Sequence, residues 1–433
     1  MKTLRLGICG LGTVASGVVN VLNRNRDLIT SRAGCSIEIV QIASRRKKDN
    51  CDLTGIDFTT DLDAVVNNPD IDVVLELIGG YETARTVVES ALKAGKHVVT
   101  ANKALIAEHG NELFALAREN GVSIGYEAGV AGGIPVIKAL REGLTANAIT
   151  SLAGIINGTG NFILTEMKDK GRAFEDVLAE AQALGYAEAD PTFDVEGIDA
   201  AHKLTILASC AFGMPLQFDK TFTEGISNLS TFDVKHAAEL GYVIKHLGIA
   251  CKRENGVEVR VHPTLVADDE LIARVDGVMN AVLVNGDAVG KTLYYGAGAG
   301  SEATASAVLA DVIDIAREYA SGVAGVVPSL AFTDELLNDL PVLPIDEAVC
   351  PFYLRIMVDD SPGTLAKISS VMSEHGINIE SVAQNEAEQV GDVIPLIIMT
   401  HEVSESLMNK AISAIEALES TQGSIVKIRV AQF

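Results

Sequence analysis

The chain has 433 residues, 48% of them hydrophobic, and a formal net charge of −24 at pH 7. That length predicts two or three domains with buried cores, and the acidic balance disfavours nucleic acid and membrane surfaces as partners. Six scattered cysteines without a CxxC pair, no signal-peptide pattern and no membrane-spanning apolar run favour the cytoplasm.

The first predicted unit opens with a strand, a glycine-containing turn and a helix. "LRLGICGLGTVASGVVNVLNRN" shows an apolar run, a Gly10-x-Gly12-x-x-Ala15 turn and then valines at helical spacing. Gly10 permits a tight turn, Gly12 lets the backbone approach a pyrophosphate, and Ala15 lets the helix pack on the strand. The pattern therefore predicts that this unit binds a dinucleotide, and a plain βα turn without a ligand is the alternative. The candidate cofactor contacts here are Gly10, Leu11, Gly12, Thr13 and Val14.

A second predicted strand, 36–44, ends without the acidic residue that would hold a free ribose 2′-hydroxyl. A basic run at 45–48 follows it, and cations there suit a 2′-phosphate. We therefore predict NADP as cofactor, with Arg45 as a contact, and keep NAD possible. A solvated basic loop is the alternative.

Two further βα units follow along the chain. Strand 72–80 precedes a helix near 82–94, and strand 97–106 precedes a helix near 110–119. Strands that alternate with helices predict a parallel, doubly wound, Rossmann-like sheet in an α/β domain.

Ligands of such sheets lie beyond the carboxyl ends of the strands, which is where Gly79, Thr100 and Lys103 fall. Lys103 is therefore a candidate for the active centre as well as for cofactor binding. A surface lysine that merely opens a helix is the alternative, although a cation is unfavourable at a helix N-terminus.

An acidic stretch, "GYAEADPTFDVEGIDAAHKL" at 185–204, leads into one cation, Lys203. Lys203 lies four residues after Asp199 on a segment with helical periodicity, so the carboxylate can orient the amine on one helix face. A solvated acidic loop is one alternative. A divalent-metal site is another, but the stretch lacks the His/Asp spacing of a transition-metal site, and His202 points about 100° away from Lys203.

Proline-containing residues 326–350 read as a linker to a small C-terminal domain. Residues 351–433 predict a ferredoxin-like βαββαβ order. Its segments are "FYLRIMVDD", "SPGTLAKISSVMSEHG", "INIESVAQNE", "DVIPLIIMTHE", a helix near 403–418 and "GSIVKIRVAQF".

Six stretches over about residues 5–320 together resemble homoserine dehydrogenase: "GLGTVASGV", "VTANKALIA", "YEAGVAGGIPVI", "INGTGNFILTEM", "ALGYAEADPTFDVEGIDAAHKLTIL" and "YYGAGAGSEATASAVLADV". The resemblance implies NAD(P)-dependent interconversion of L-homoserine and L-aspartate 4-semialdehyde, toward threonine and methionine. Aspartate-semialdehyde dehydrogenase is the nearest rival, but it needs an activated thiol. A non-catalytic sensor of NADP and amino acids is the other alternative.

The resemblance divides the chain into a nucleotide domain at 1–128, completed by a returning helix at about 305–325, and an α+β catalytic and dimerisation domain at 129–304. It implies a homodimer or homotetramer. Gly185 and Gly300 are added to the candidate cofactor contacts.

Oxidising a primary alcohol requires a group that accepts the hydroxyl proton, and the sequence shows no zinc pattern. The pKa of a lysine, ordinarily about 10.4, falls with desolvation and with a second cation nearby. We predict that Lys103 and Lys203 meet across a cleft, and leave open which of them moves the proton. The resemblance supports Asp194 and Asp199 as residues that orient Lys203, and Glu188 as the acceptor of the substrate ammonium.

The resemblance also implies a monovalent cation such as Na⁺, bound by Glu127 and by the backbone near Val130, Gly132 and Ile134. The C-terminal unit resembles an ACT domain, a small-ligand module of amino-acid biosynthetic enzymes. Its expected effector is L-threonine, held near Asp360, Gly363 and Asn378.

Overall fold

The computed structural model describes residues 2–323, 325–384 and 393–433. Its first domain alternates strands with helices around a parallel sheet of order β3-β2-β1-β4-β5-β6. This is the doubly wound order of Rossmann domains, which confirms the predicted fold class. The elements are β1 (Thr3–Cys9), α1 (Thr13–Arg24), α2 (Arg26–Ala33), β2 (Ser36–Ala43), β3 (Asp57–Thr59), α3 (Leu62–Val66), β4 (Val73–Glu76), α4 (Glu82–Lys93), β5 (His97–Thr100), α5 (Lys103–Glu119) and β6 (Ile124–Gly125).

Strands β4 and β5 are shorter than the sequence pattern predicts. The predicted helix start near residue 110 is wrong, because α5 begins at Lys103, where the Asn102 side chain accepts a hydrogen bond from Leu105 N at 3.2 Å. After β4 the chain turns away through Gly79 and Gly80, each with φ +76°. Both departures shorten the strands and bring Lys103 to the edge of the sheet.

The second domain builds an antiparallel sheet of order β12-β11-β7-β9-β10. Helix α10 is buried along almost its whole length, so it is a core helix, and its charged residues Asp199 and Lys203 both lie in its first half. The elements are α6 (Val136–Lys138), β7 (Ile149–Ile155), α7 (Gly158–Lys170), α8 (Phe174–Ala183), α9 (Thr192–Val195), α10 (Ile198–Phe212), β8 (Phe222–Thr223), α11 (Thr231–Glu239), β9 (Tyr242–Arg253), β10 (Gly256–Ala267), β11 (Met279–Gly286), β12 (Gly290–Ala297) and α12 (Ser301–Ser321).

Helix α12 returns to the first domain and packs on its sheet. Val308, Val312 and Ile315 join the apolar core that includes the β1 side chains. At the crossing with α1, a Cβ on Gly17 would lie 2.5 Å from Ser301 O, so only glycine fits there.

The C-terminal domain has the predicted βαββαβ order, with short β13 and β17 added, and a sheet of order β18-β14-β16-β15. The predicted strand "INIESVAQNE" is described as far as Gln384, and its last two residues lie outside the described residues, as does the first residue of "DVIPLIIMTHE". The elements are β13 (Val349–Cys350), β14 (Phe352–Asp359), α13 (Thr364–Glu374), β15 (Ile379–Gln384), β16 (Val393–Thr400), β17 (Val403–Ser404), α14 (Glu405–Glu416) and β18 (Thr421–Val430).

The C-terminal sheet continues the sheet of the second domain. Strand β18 pairs in parallel with β10, with Thr264 opposite Arg429 and Leu265 opposite Val430. One apolar cluster contains Leu265 from β10 together with Tyr353 from β14 and Ile428 from β18. The two domains therefore share both a sheet and a core.

We predict that Leu265→Ala destabilises the second and C-terminal domains together. Leu265 is fully buried in the shared cluster, so the cavity lowers the free energy of unfolding by about 2–5 kcal/mol. Leu271→Ala, at a side chain that is 65% exposed, is the control and changes stability by about 0.5 kcal/mol or less. Calorimetry and urea titration measure both variants. If the C-terminal domain of Leu265→Ala unfolded in a separate transition, and only that transition were destabilised, the shared core would be contradicted.

Candidate active site

A cleft of about 1040 Å³ opens between the first and second domains, beyond the carboxyl ends of β4 and β5. Many of the residues predicted from the sequence meet there, although they come from distant parts of the chain. Those that line the cleft are Val14, Gly79, Lys103, Gly132, Gly185, Glu188, Asp194, Asp199, Lys203 and Gly300.

A second cleft of about 950 Å³ adjoins the first and is lined by Gly10, Leu11, Gly12 and Arg45. Gly79 lines both openings, so they form one continuous groove along the edge of the sheet.

The turn after β1 has the geometry of an anion site. Gly10 has φ +95°, and a Cβ there would lie 2.6 Å from Leu77 O, so the turn requires glycine. No side chain caps α1 at Gly12, and a Cβ on Gly12 would meet nothing within 4 Å. The N-terminal N–H groups of α1 are thus accessible to a pyrophosphate. Thr13 is exposed, and its carbonyl accepts a hydrogen bond from Ser301 Oγ at 2.7 Å.

Thr100 is buried and lies behind the groove. Its hydroxyl donates to Glu76 Oε2 at 2.6 Å, while Glu76 Oε1 accepts from Ile78 N at 2.9 Å and Gly79 N at 3.2 Å. Thr100 therefore holds the loop after β4 through Glu76. Sequence analysis missed Glu76, whose signal is a lone carboxylate inside the apolar run of β4.

The centre of the larger cleft is one carboxylate between two amines. Asp199 Oδ2 accepts from Lys203 Nζ at 2.7 Å, and Asp199 Oδ1 lies 3.1 Å from Lys103 Nζ. Lys203 Nζ also donates to Ile156 O at 2.6 Å. Lys103 comes from α5 of the first domain and Asp199 and Lys203 from α10 of the second, so the two lysines meet across the cleft.

Burial and charge change the pKa of both members of the α10 pair. Burial lowers the pKa of Lys203; Asp199 opposes that shift and the charge of Lys103 adds to it, so that the pKa stays below the usual lysine value. Burial raises the pKa of Asp199, but Lys203 and Lys103 outweigh it and hold the pKa well below its usual range. Asp199 thus remains ionised, and Lys203 loses its proton more easily than a lysine in water.

Asn157 links the carboxylates of the acidic stretch. Its Nδ2 donates to Asp194 Oδ1 at 2.8 Å and to Asp199 Oδ2 at 2.9 Å, while its Oδ1 accepts from Gly160 N at 2.7 Å and caps α7. Burial raises the pKa of Asp194, which the Asn157 hydrogen bond opposes. Sequence analysis missed Asn157; an Asn directly before a helix is an N-cap signal that could have found it.

Glu188 lies exposed on the loop before α9 and lines the cleft. Within the described residues its carboxylate has no ion-pair partner. The rings of Tyr186 and Phe193 line the same opening and are about half exposed. Glu188 is therefore available to a cationic group that enters the cleft.

His202 also lines the cleft, which the orientation inferred from the sequence did not anticipate. Its ring stacks on Phe218 with centroids 4.2 Å apart, and its Nε2 lies 3.2 Å from Glu108 Oε1. Among the described residues, no three His, Cys, Asp or Glu side chains are grouped so that they could hold a metal ion. The divalent-metal alternative therefore gains no support from these contacts.

The predicted cation loop closes around Glu127. Its two carboxylate oxygens accept from Ile137 N at 3.0 Å and Lys138 N at 2.7 Å, and its own N–H donates to Asp311 Oδ2 at 2.8 Å. Burial, with a further contribution from Asp311, raises the pKa of Glu127 to about 8. Val130 and Ile134 are buried. Gly132, with φ +49°, lines the cleft, so the loop reaches the site directly.

The predicted effector residues lie at opposite ends of strand β16: Asp359, next to Asp360, pairs with Val393 at its start, whereas Ile379, next to Asn378, pairs with Thr400 at its end. Asp360 and Gly363 belong to the exposed turn between β14 and α13, and Asn378 precedes β15. Gly363 has φ +91°, and Asn378 O accepts from His401 N at 3.0 Å.

The cysteines do not provide an activated thiol. Burial raises the pKa of Cys9 to about 12 and those of Cys210 and Cys350 to about 11, and none of the six cysteines lines either cleft. This disfavours the thioester chemistry of aspartate-semialdehyde dehydrogenase. Within the described part of the chain, no helix is both long and apolar enough to cross a membrane.

Comparisons with known proteins place the chain in a family. Residues 135–313 match the family model described as homoserine dehydrogenase, residues 10–127 its NAD binding domain, and residues 352–420 the ACT domain. The chain is 62% identical to the Pseudomonas aeruginosa homoserine dehydrogenase over 100% of both chains.

Solved structures agree in fold as well. A homoserine dehydrogenase from Thiobacillus denitrificans superimposes with a TM-score of 0.95 at 54% identity, over 99% of this chain and 98% of that one. A hyperthermophilic archaeal homoserine dehydrogenase in complex with NADPH gives a TM-score of 0.62 at 26% identity, over 72% of this chain and 97% of that one. The chain therefore belongs to the homoserine dehydrogenase family and carries a C-terminal ACT domain.

Proposed function

We propose that this chain interconverts L-homoserine and L-aspartate 4-semialdehyde with NADP as hydride carrier. The observation that carries the proposal is the buried Asp199 between Lys103 and Lys203, in a cleft that continues into the dinucleotide turn.

In the oxidative direction the chain must remove a proton from the substrate hydroxyl, while the bound nicotinamide supplies the hydride acceptor. Lys203 in its neutral form accepts that proton, because burial and the charge of Lys103 lower its pKa. Asp199 orients the amine, and Ile156 O fixes it from a second side. In the reductive direction, protonated Lys203 returns the proton to the developing alkoxide.

Glu188 and Asp194 recognise the amino acid. The exposed carboxylate of Glu188 pairs with the substrate ammonium at the mouth of the cleft. Asp194, held by Asn157, contributes a second carboxylate deeper in the site. The acidic stretch therefore selects a cationic amino group while Lys203 reaches the hydroxyl.

NADP is the favoured cofactor because Arg45 lines the groove beside Gly10 and Gly12, where a 2′-phosphate would lie. The archaeal relative in complex with NADPH supports this choice. A monovalent cation in the Glu127 loop belongs to the same proposal. Its charge would offset the free-energy cost of burying the ionised Glu127 carboxylate.

L-threonine is the proposed effector, bound at the turn that holds Asp360 and Gly363, and the active assembly is proposed to be a homodimer or homotetramer. ACT domains hold amino acids in this turn, and its residues are exposed here. Because the domain shares a core with the second domain, point variants test regulation better than removal of the domain.

Steady-state assays of purified protein test the reaction. We expect NADP-dependent oxidation of homoserine, and phosphate-dependent turnover of the semialdehyde in its place would overturn the proposal. Lys203→Ala should keep NADPH binding but lower kcat by about two to four orders of magnitude, as expected for lost acid–base catalysis. Glu188→Gln is the comparison, and it should raise the KM for homoserine more than it lowers kcat.

Removal of the Lys103 charge should change the pH dependence of homoserine oxidation. Lys203 must be neutral to accept a proton, so the rate rises as pH increases through its pKa. In Lys103→Met the pKa of Lys203 is no longer lowered by the second cation, so the rising limb moves to higher pH. The pH profile of kcat/KM is the measurement, with Lys93→Met, at an exposed lysine of α4, as control. A profile that moves to lower pH, or does not move, would contradict the coupling.

Arg45→Ala should weaken NADP binding by about tenfold or more and leave NAD binding nearly unchanged, since it removes a charge that only the 2′-phosphate needs. Fluorescence titration with NADPH and NADH measures both constants. Arg24→Ala, which removes an exposed arginine paired with Glu302, is the matched control. Equal losses for both cofactors would exclude Arg45 from phosphate recognition.

A further inference from the structure

One arginine of the C-terminal domain reaches into the second domain. The Nε and Nη2 atoms of buried Arg429 donate to Glu405 at 2.8 and 2.7 Å within its own domain. Its Nη1 donates to Glu224 Oε2 at 2.8 Å, and its guanidinium lies 5.2 Å from the ring centroid of Phe222. Arg429 is thus fixed on one side and holds the β8 segment on the other.

The segment that follows Glu224 packs directly on the acidic stretch. Ile226 N donates to Val195 O at 2.9 Å. A Cβ on Gly225 would lie 2.2 Å from Glu196 Oε2, so there is no room for a side chain between the two segments. Displacement of Glu224 therefore displaces its neighbours against the acidic stretch.

His246 supports the same contact from the β9 side. Its Nε2 donates to Glu224 O at 2.9 Å, and its Cε1 would lie 3.1 Å from a Cβ on Gly197, which has φ +82°. Burial lowers the pKa of His246 to about 4, so the ring is neutral and its Nε2 carries the proton. Gly197 lies between Asp194 and Asp199, so the braced turn is the one that separates the two carboxylates of the site.

Strand β18 connects Arg429 to the predicted effector turn. At its start, Asp359 N donates to Ser420 O at 2.9 Å, and Gln422 Nε2 donates to Asp359 Oδ1 at 3.0 Å. The turn with Asp360 follows directly. The strand then extends for ten residues, about 30 Å, and carries Arg429 near its far end.

We propose that Glu224 is a positioning residue: held by Arg429, it keeps the turn between Asp194 and Asp199 in place, and β18 transmits effector binding to substrate affinity through this contact. The inference rests on the proposed function, since a bound homoserine is what senses the position of the turn. A coupling of this kind requires an element whose position both sites bias, and β18 with its Arg429–Glu224 contact is that element in the proposal.

The same interface contains a matched ion pair that does not reach the acidic stretch. Arg355 Nε of β14 donates to Asp233 Oδ1 at 2.7 Å, and the Arg355 guanidinium lies 5.5 Å from the ring centroid of Phe232. Asp233 belongs to α11, where it forms a capping box with Ser230. Arg355→Gln therefore breaks an interdomain pair of similar chemistry without loosening the turn.

Glu224→Gln in the full-length chain tests the proposal. We expect the KM for homoserine to rise about tenfold while kcat and the Kd for NADPH stay within about twofold, the pattern of lost substrate positioning. Arg355→Gln should lower Tm to a similar extent but leave KM within about twofold. Where L-threonine inhibits the parent enzyme, its potency should fall in Glu224→Gln and persist in Arg355→Gln.

An unchanged KM in Glu224→Gln would overturn the proposal, and so would an equal rise in both variants, which indicates general loosening of the interface. If Glu224→Gln does not fold, Arg429→Lys provides the same test, because a single amine cannot bridge Glu405 and Glu224 as the guanidinium does. A parent enzyme that does not oxidise homoserine would instead overturn the proposed function. The two failures are therefore distinguishable.

Discussion

The buried contact of Asp199 with Lys103 and Lys203 is the interaction on which the rest of the site depends. A carboxylate with so little access to water is costly unless cations compensate it, and here each domain supplies one. The relative position of the two domains is thereby tied to the charge balance of the site. A chain in which the domains moved apart would leave Asp199 with a single cation.

The elements around this contact are arranged to hold it still. Helix α10 is buried almost throughout, so its first turn cannot shift without moving the core. Asn157 uses its oxygen to cap α7 and its nitrogen to hold Asp194 and Asp199, so one side chain completes both a helix end and the candidate active site. Thr100 and Glu76 hold the loop after β4 in a similar way, because Thr100 donates to Glu76 and Glu76 accepts from the backbone of the loop.

Local patterns in the sequence predict the parts of the site that depend on local geometry. The four-residue spacing of Asp199 and Lys203 and the glycine turn after β1 are of this kind, and both are found in the structure. The contacts of Asn157 with Asp194 and of Glu224 with Arg429 depend on how separate segments pack, since the partners lie 37 and 205 residues apart in the sequence. No spacing rule predicts such partners. The helix boundary at Lys103 differs from the prediction because the Asn102 side chain caps a helix inside the stretch 97–106, which the apolar pattern assigns to a single strand.

The pairing of β18 with β10 has a consequence for how proteins of this architecture diverge. A regulatory domain joined only by a flexible tether can be exchanged between enzymes by recombination, since its loss leaves the host intact. Here a replacement domain would have to supply a final strand in the right register and apolar partners for Leu265. Otherwise β10, where it carries Leu265, would become an unpaired edge of the second domain's sheet. Where a chain carries such a domain, a change of ligand is therefore expected to come from substitutions at its distant turn and not from replacement of the whole domain.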